Sequence, residues 1–285
     1  MIKRTIFSRA FVIAVAMFVV SCLMHSISIV ATGENINIVK AAFKYSKSYF
    51  VIMGEDMSAY TLINGIRDFE WFSVVFPIFV AFPFVYTFIN EWKSSVYMMS
   101  VTRCGEKAYV FRKIICASVS GATVVLAGML VISILIYLMY PSVSDFPIHE
   151  ITDMAYGEND LARFGYYMRM ILNLSIQGAL CAVVSAILVV LLDDMFYALS
   201  IPMIVEYLCK KIINYYYLWL RDNDMDYSLK NSFPVLFLPI EQFFMDVRFD
   251  VYNLDYRLYL LIAILVWLLL GYIFYLLVRR RRMHV

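Results

Sequence analysis

Charged residues are scarce in this chain of 285 residues: they make up 16% of the sequence, whereas soluble domains carry about 25%. Hydrophobic residues reach 63%. This composition excludes a disordered chain, a secreted disulfide scaffold and an ordinary soluble enzyme. Together with a mean hydropathy of +0.76, it predicts an integral membrane protein.

Motifs for several kinds of chemistry are also missing from the sequence. There is no GxxxxGK[ST] phosphate loop, so we expect the chain not to hydrolyse ATP itself. Neither a GxSxG nucleophile elbow nor a CxxC or HExxH pattern occurs. The three histidines are far apart, which argues against a zinc or haem site. We therefore expect no cofactor on this chain.

Six apolar runs are long enough to be transmembrane helices, for which about 17–25 residues are needed. The sequence thus predicts a single all-α, polytopic domain over residues 1–285. The predicted spans are roughly 10–30, 71–90, 114–140, 168–192, 195–219 and 257–278.

Lysine and arginine are unevenly distributed between the loops. Twelve lie in the N-terminal tail, the C-terminal tail and residues 91–113, while the three longer remaining loops hold eight. The positive-inside rule therefore places both termini and the 91–113 loop in the cytoplasm of a cell-membrane protein. An even number of spans agrees with this topology.

Two outer segments are more apolar than simple loops. Residues 38–53 show helical spacing of apolar side chains and predict an amphipathic surface helix. Residues 233–244 are too short to span and contain Pro234 and Pro239. They predict a short re-entrant segment before the last span.

Polar residues in the fourth span recur at helical spacing. Arg169, Asn173 and Gln177 lie at i, i+4 and i+8, which predicts one stripe. The stripe could line a transport path or form hydrogen bonds between helices. The small residues Gly178 and Ala182 nearby predict a close helix contact.

The fifth span contains an ionisable residue near its midpoint, Glu206. Lys210 follows at i+4 and could pair with it on the same helix face. A carboxylate at this depth is expensive unless it is paired or hydrated, so it is a candidate for the transport path. The alternative is an ion pair with a purely structural role.

The loop at 91–113 mixes apolar and basic positions and contains a predicted turn at residues 102–105, between two short helices. Gly105 in this turn is expected to adopt positive φ. One interpretation is a coupling helix that docks on a partner protein. The other is an ordinary basic loop that obeys the positive-inside rule.

This loop resembles the corresponding segment of ABC-2 type permeases. That family tends to have a Glu at the inner end of the second span, then a short helix, an Arg-x-Gly-like turn and a Lys that opens the third span. The matching positions are Glu91, Arg103, Gly105, Lys107, Tyr109 and Lys113. A small residue, often Gly, commonly follows the Glu, where this chain has Ser94 and Ser95.

The resemblance implies the permease subunit of an ATP-driven exporter. Its partners would be two ABC ATPase subunits, which carry ATP and magnesium, and a second permease, identical or homologous. The cargo would be amphipathic, peptide, drug or lipid-like. Membrane lipids are expected to contact the chain, whereas nucleic acid is not, because no folded basic face accompanies the C-terminal arginines.

Two other functions fit the same sequence. The chain could be a membrane-embedded immunity or sensor subunit that binds a peptide without transporting it. It could also be an intramembrane enzyme that uses Glu206.

Overall fold

The computed structural model describes residues 5–6, 8–29, 34–66, 70–94, 96–146, 160–222 and 256–283, and nearly all of them are helical. The predicted re-entrant segment, 233–244, lies outside the described residues. The helices are α1 Arg9–Leu23, α2 Ile38–Lys44, α3 Lys47–Met53, α4 Ala59–Gly65, α5 Glu70–Lys93, α6 Val96–Cys104, α7 Glu106–Met139, α8 Asp160–Leu192, α9 Met195–Asp222 and α10 Tyr256–Met283. Two short strands, β1 Ser26–Ile29 and β2 Glu34–Asn37, complete the regular structure together with short 3₁₀ turns.

Four helical segments in the described part are long and apolar enough to cross a membrane: Val74–Lys93, Glu106–Asp145, Arg163–Leu192 and Leu260–Arg280. They overlap the predicted spans 71–90, 114–140, 168–192 and 257–278, and the mainly helical structure agrees with an all-α membrane protein. The apolar parts of α1 and α9 are shorter, Arg9–Leu23 and Met195–Cys209.

The first predicted span, 10–30, extends too far, because the helix ends at Leu23. Helix α1 has 15 residues, about 22 Å at 1.5 Å per residue, which is less than the hydrocarbon thickness of about 30 Å. The chain then forms an antiparallel hairpin in which Ile27 pairs with Ile36. The residues Ser-Ile-Ser-Ile at 26–29 alternate with the period of a strand, and averaging hydropathy over a long window conceals that period.

The predicted amphipathic helix at 38–53 is two helices, α2 and α3. The break falls at Ser46, whose Oγ accepts a hydrogen bond from the Tyr49 N–H and caps α3. Ile38 and Phe50 are buried, whereas Phe43 is 87% exposed. Each short helix therefore has a buried and an exposed side, with Phe43 on the exposed side of α2.

Contacts divide the chain into two compact units. Unit 1 comprises Met1–Ala14, Val74–Val124 and Asn173–Val285, and unit 2 comprises Val15–Ser73 and Val125–Leu172.

In unit 1, α5, α7, α8 and α10 enclose one apolar core. Aromatic rings form its centre. The centroid of the Phe88 ring lies 5.2 Å from that of Phe84, 5.8 Å from that of Trp92 and 6.1 Å from that of Phe274. Such ring pairs add about 0.5–1.5 kcal/mol each beyond the buried area. The core therefore fixes α5 against α10.

In unit 2, Tyr140 at the end of α7 anchors the small helices. Its hydroxyl donates to the Ile38 carbonyl at 2.7 Å, and its ring lies 4.7 Å from that of Phe50. The Ala59 N–H donates to the Pro141 carbonyl at 2.9 Å. These bonds tie α2, α3 and α4 to the same long helix.

Helices α7 and α8 approach closely at two glycines in unit 1. A Cβ built on Gly121 would overlap the carbonyl oxygen of Gly178 and lie 3.0 Å from the Cβ of Ala182. This confirms the close contact predicted from the small residues of the fourth span.

We predict that Gly121→Ala destabilises the protein by about 1–3 kcal/mol, because the new methyl group forces backbone apart in a packed interface. Gly165→Ala is the matched control. Gly165 is also helical, but it has open space around its Cα, so the substitution should be neutral or stabilise by up to about 1 kcal/mol. The measurement is the thermal unfolding midpoint in detergent. Equal midpoints for the two variants would show that the contact is not tight.

Candidate functional site

The basic loop at 91–113 is folded throughout most of its length. Helix α5 ends at Lys93, α6 covers Val96–Cys104, and α7 begins at Glu106. The turn at Gly105 has φ of +78°, as expected, and its N–H donates to the Val101 carbonyl at 2.8 Å. The second helix is not short, however, because nothing interrupts the helix from Glu106 to Met139. The helix of the third predicted span therefore starts eight residues earlier than 114, at Glu106, directly after the Gly105 turn.

A buried ion pair closes the base of this loop. Lys113 Nζ lies 2.5 Å from Glu91 Oε2, and the two side chains are 2% and 16% exposed. The Tyr109 hydroxyl donates to the other carboxylate oxygen, Oε1, at 3.3 Å. Lys113 Nζ also lies 5.4 Å from the centroid of the Phe88 ring and 5.2 Å from that of the Tyr109 ring. Each charge removed from water is thus compensated by several partners, as a buried pair requires.

The apolar face of α6 packs on the same cluster. Tyr97 and Val101 are buried, and the Tyr97 ring lies 4.2 Å from Trp92 and 5.7 Å from Tyr109. The short helix is therefore fixed to the end of α5 and the start of α7 rather than lying loosely on the surface.

A further hydrogen bond extends the cluster to the turn between α8 and α9. Trp92 Nε1 donates to Asp193 Oδ1 at 2.8 Å. Asp193 has φ of 55°, a conformation that Asp tolerates better than most residues. The cluster formed by Glu91, Trp92, Tyr97, Tyr109, Lys113 and Asp193 is called the hinge cluster below. Through it α5, α6, α7 and the α8–α9 turn are held together.

A cleft of about 840 Å³ opens beside the hinge cluster, between α6 and α7. Four of the six residues predicted for coupling, Glu91, Arg103, Tyr109 and Lys113, line it. Of the other two, Gly105 forms the turn, and Lys107 is exposed and lies outside the lining.

Sequence reasoning missed Trp92, Asp193 and Arg112. Trp92 stands beside Glu91, and Asp193 stands in an acidic turn, but the two are 101 residues apart and no spacing rule connects them. Arg112 lines the cleft, where sequence alone shows only another basic residue in a basic loop.

The polar residues of the fourth and fifth spans form a second candidate site in unit 1. Gln177 Nε2 donates to Glu206 Oε1 at 3.4 Å, and Asn173 lies one turn before Gln177 on α8. All three side chains are 2–3% exposed. Arg169 is exposed and does not belong to this buried set. The side chain of Lys210 lies outside the described part of the chain, so its predicted pairing with Glu206 stays a prediction.

Buried polar atoms extend this second site along α8. Gln177 Oε1 and Ser185 Oγ have no hydrogen-bond partner in the part of the chain that the structure describes. In lipid such atoms are costly, so they mark a place where water or a polar ligand would be favourable.

Metal binding finds no support in these sites. Over the described ranges, no group of three or more His, Cys, Asp or Glu side chains is placed to hold a metal ion.

No protein-family model, curated protein or solved structure matches this chain. The likeness to ABC-2 permeases therefore depends on the residues of the 91–113 loop.

We predict that Glu91→Gln lowers the free energy of unfolding by about 3 kcal/mol, because it leaves the Lys113 ammonium buried beside a neutral amide. The double variant Glu91→Gln/Lys113→Met should recover most of this loss. Lys93→Met is the control: Lys93 is exposed on the same helix, so its loss should change stability by no more than about 0.5 kcal/mol. Chemical unfolding in detergent provides the measurement. Additive losses in the double variant would contradict a coupled pair.

Proposed function

We propose that this chain is the permease subunit of an ATP-driven ABC-2 type exporter. The observation that carries the proposal is the hinge cluster, in which the Glu91–Lys113 pair joins the two long apolar helices that flank a short one. Glu91, Tyr109 and Lys113 are three of the six positions at which the sequence resembles that family.

The packing of α6 supports a role in coupling. A rigid short helix transmits a displacement to the helices on which it packs, whereas a flexible loop absorbs it. Tyr97 and Val101 bury the inner face of α6, while Val96, Met99 and Arg103 remain exposed for a partner. We propose that the ATPase binds this exposed face and that its closure moves α5 and α7.

The proposed topology has six spans with both termini in the cytoplasm. The four membrane-length segments would be joined by α1 and α9, of which α9 has 28 residues. Two permeases, identical or homologous, would enclose the path, and two ATPase subunits would bind ATP and magnesium. No cofactor is assigned to this chain.

We assign the transport path to the buried polar residues Asn173, Gln177 and Glu206. Their donors and acceptors offer a polar surface inside apolar helices, which suits an amphipathic, peptide, drug or lipid-like cargo. Lys210, on the same helix as Glu206, is included in this proposed path.

The topology predicts that Cys104 is labelled by thiol reagents only from the cytoplasmic side. Cys104 is exposed, whereas Cys22 and Cys116 are buried, so it should be among the first cysteines to react. An impermeant maleimide should label inside-out vesicles and leave Cys104 unlabelled in intact cells. Labelling of Cys104 in intact cells would overturn the six-span topology.

The coupling role predicts that Arg103→Ala and Gly105→Val weaken ATPase association without unfolding the permease. Arg103 would lose a bidentate bond to a carboxylate, worth about 1.5–3 kcal/mol, which is roughly 10- to 150-fold in affinity. Gly105→Val would strain a residue at φ of +78° by about 1–2 kcal/mol and displace the turn. Association and ATPase activity are measured after reconstitution with the ABC ATPase that the proposal requires, identified by its co-purification with the wild-type chain.

Arg280→Ala is the control for charge, because Arg280 is exposed on α10 and is not part of the 91–113 loop. It should leave association within about twofold, as expected for a surface charge. If Arg103→Ala and Gly105→Val assemble and hydrolyse ATP as the wild type does, the loop is not the coupling element.

A further inference from the structure

We infer that the cleft between α6 and α7 binds the headgroup of an anionic phospholipid. The phosphate would bind the guanidinium of Arg112, while Arg103 at the mouth would add to the positive potential without binding the phosphate. The glycerol and the first part of the acyl chains would lie along the apolar wall of α7.

The charge of the cleft favours an anion. Its lining contains three cationic side chains, Arg103, Arg112 and Lys113, and one carboxylate, Glu91. Since Glu91 is already bound to Lys113, two guanidinium groups remain. Across the described ranges, neither Arg103 nor Arg112 takes part in an ion pair, and both are exposed. A phosphate oxygen pair matches the planar fork of a guanidinium.

Arg112 is held at the mouth of the cleft. Its Nη1 lies 3.3 Å from the sulfur of Cys104, at the end of α6, although Arg112 itself belongs to α7. The guanidinium therefore bridges the two helices that form the cleft. Because it is already positioned, little side-chain entropy would be lost when an anion binds.

The apolar wall favours a lipid over a free anion or a protein carboxylate. Phe111 and Ile115 line the cleft, and Phe111 is 58% exposed. Both lie on α7, within a segment that is long and apolar enough to cross a membrane. A surface on which a cation adjoins an exposed aromatic ring at the start of such a segment fits the boundary between headgroup and acyl chain.

The size of the cleft fits this occupant. Its volume of about 840 Å³ lies within the range of about 300–1,000 Å³ that is typical of small-molecule sites. A cleft of this volume can hold a phosphate, a glycerol and the first methylene groups of the lipid. The rest of the acyl chains would continue into the bilayer. The proposal requires a membrane but does not depend on the exporter function.

The first test is native mass spectrometry of the detergent-solubilised full chain, titrated with phosphatidylglycerol or phosphatidylcholine. The wild type should bind phosphatidylglycerol more tightly. Arg112→Gln should weaken phosphatidylglycerol binding about fivefold, the effect of one cation near an anionic lipid, and leave phosphatidylcholine unchanged. Arg112→Lys, which keeps the charge, should retain most of the affinity.

Lys93→Gln is the matched control, because Lys93 is exposed at the end of α5 and does not line the cleft. It should change phosphatidylglycerol affinity less than twofold, since its charge is not held at the cleft. An equal loss in Lys93→Gln and Arg112→Gln would show diffuse surface charge and overturn the proposed site. Unchanged affinity in a folded Arg112→Gln protein would also overturn it.

A second measurement locates the lipid. Cys104 is exposed and adjoins Arg112, so bound phosphatidylglycerol should slow its reaction with a maleimide, while phosphatidylcholine should not. Peptide mass mapping reads the rate at this residue. Equal rates in the two lipids would contradict the proposal. If Arg112→Gln weakens ATPase association but leaves lipid selectivity intact, the cleft serves a protein partner and the lipid assignment fails, whereas the exporter proposal stands.

Discussion

The buried ion pair between Glu91 and Lys113 is the constraint on which the rest of unit 1's loop structure depends. A buried lysine is tolerated only when its charge is matched and its hydrogen bonds are satisfied, so the pair fixes both distance and direction between α5 and α7. Helix α6 then has one place to pack, because Tyr97 must reach the rings of Trp92 and Tyr109. The 91–113 segment, which by composition also fits an ordinary basic loop, is instead folded, with this ion pair at its base.

The constraint extends along α7 into the interior of unit 1. Lys113 and Gly121 stand on the same helix, about 12 Å apart at 1.5 Å per residue. At Gly121 the backbone meets that of Gly178 on α8, and the next residue back, Gln177, donates to Glu206. A displacement of α6 therefore has a route of close-packed contacts to the buried polar site. The proposed permease, driven by a partner at the 91–113 loop, would need such a route.

Much of this arrangement was predictable from the sequence. Long apolar helices follow from hydropathy, and the turn at Gly105 follows from the residues around it. The resemblance to a family singled out Glu91 and Lys113, but not their pairing. The end of α1 was not predictable, because the apolar composition continues past the helix into residues that alternate as those of a strand do. Nor was the Trp92–Asp193 bond, since a contact across 101 residues depends on how helices pack. Local chemistry specifies elements and turns, whereas tertiary packing selects the partners.

Site-specific photocrosslinking most directly tests the claim that α6 is the contact of an ATPase. A benzoylphenylalanine is placed at position 99, where Met99 is exposed on α6, and at position 126 on α7 as a control for a membrane-facing site. After irradiation of native membranes, the account predicts a covalent adduct between position 99 and a subunit that contains a GxxxxGK[ST] phosphate loop, with none from position 126. Adducts at position 99 with lipid alone, or with proteins that lack this motif, would contradict the exporter account.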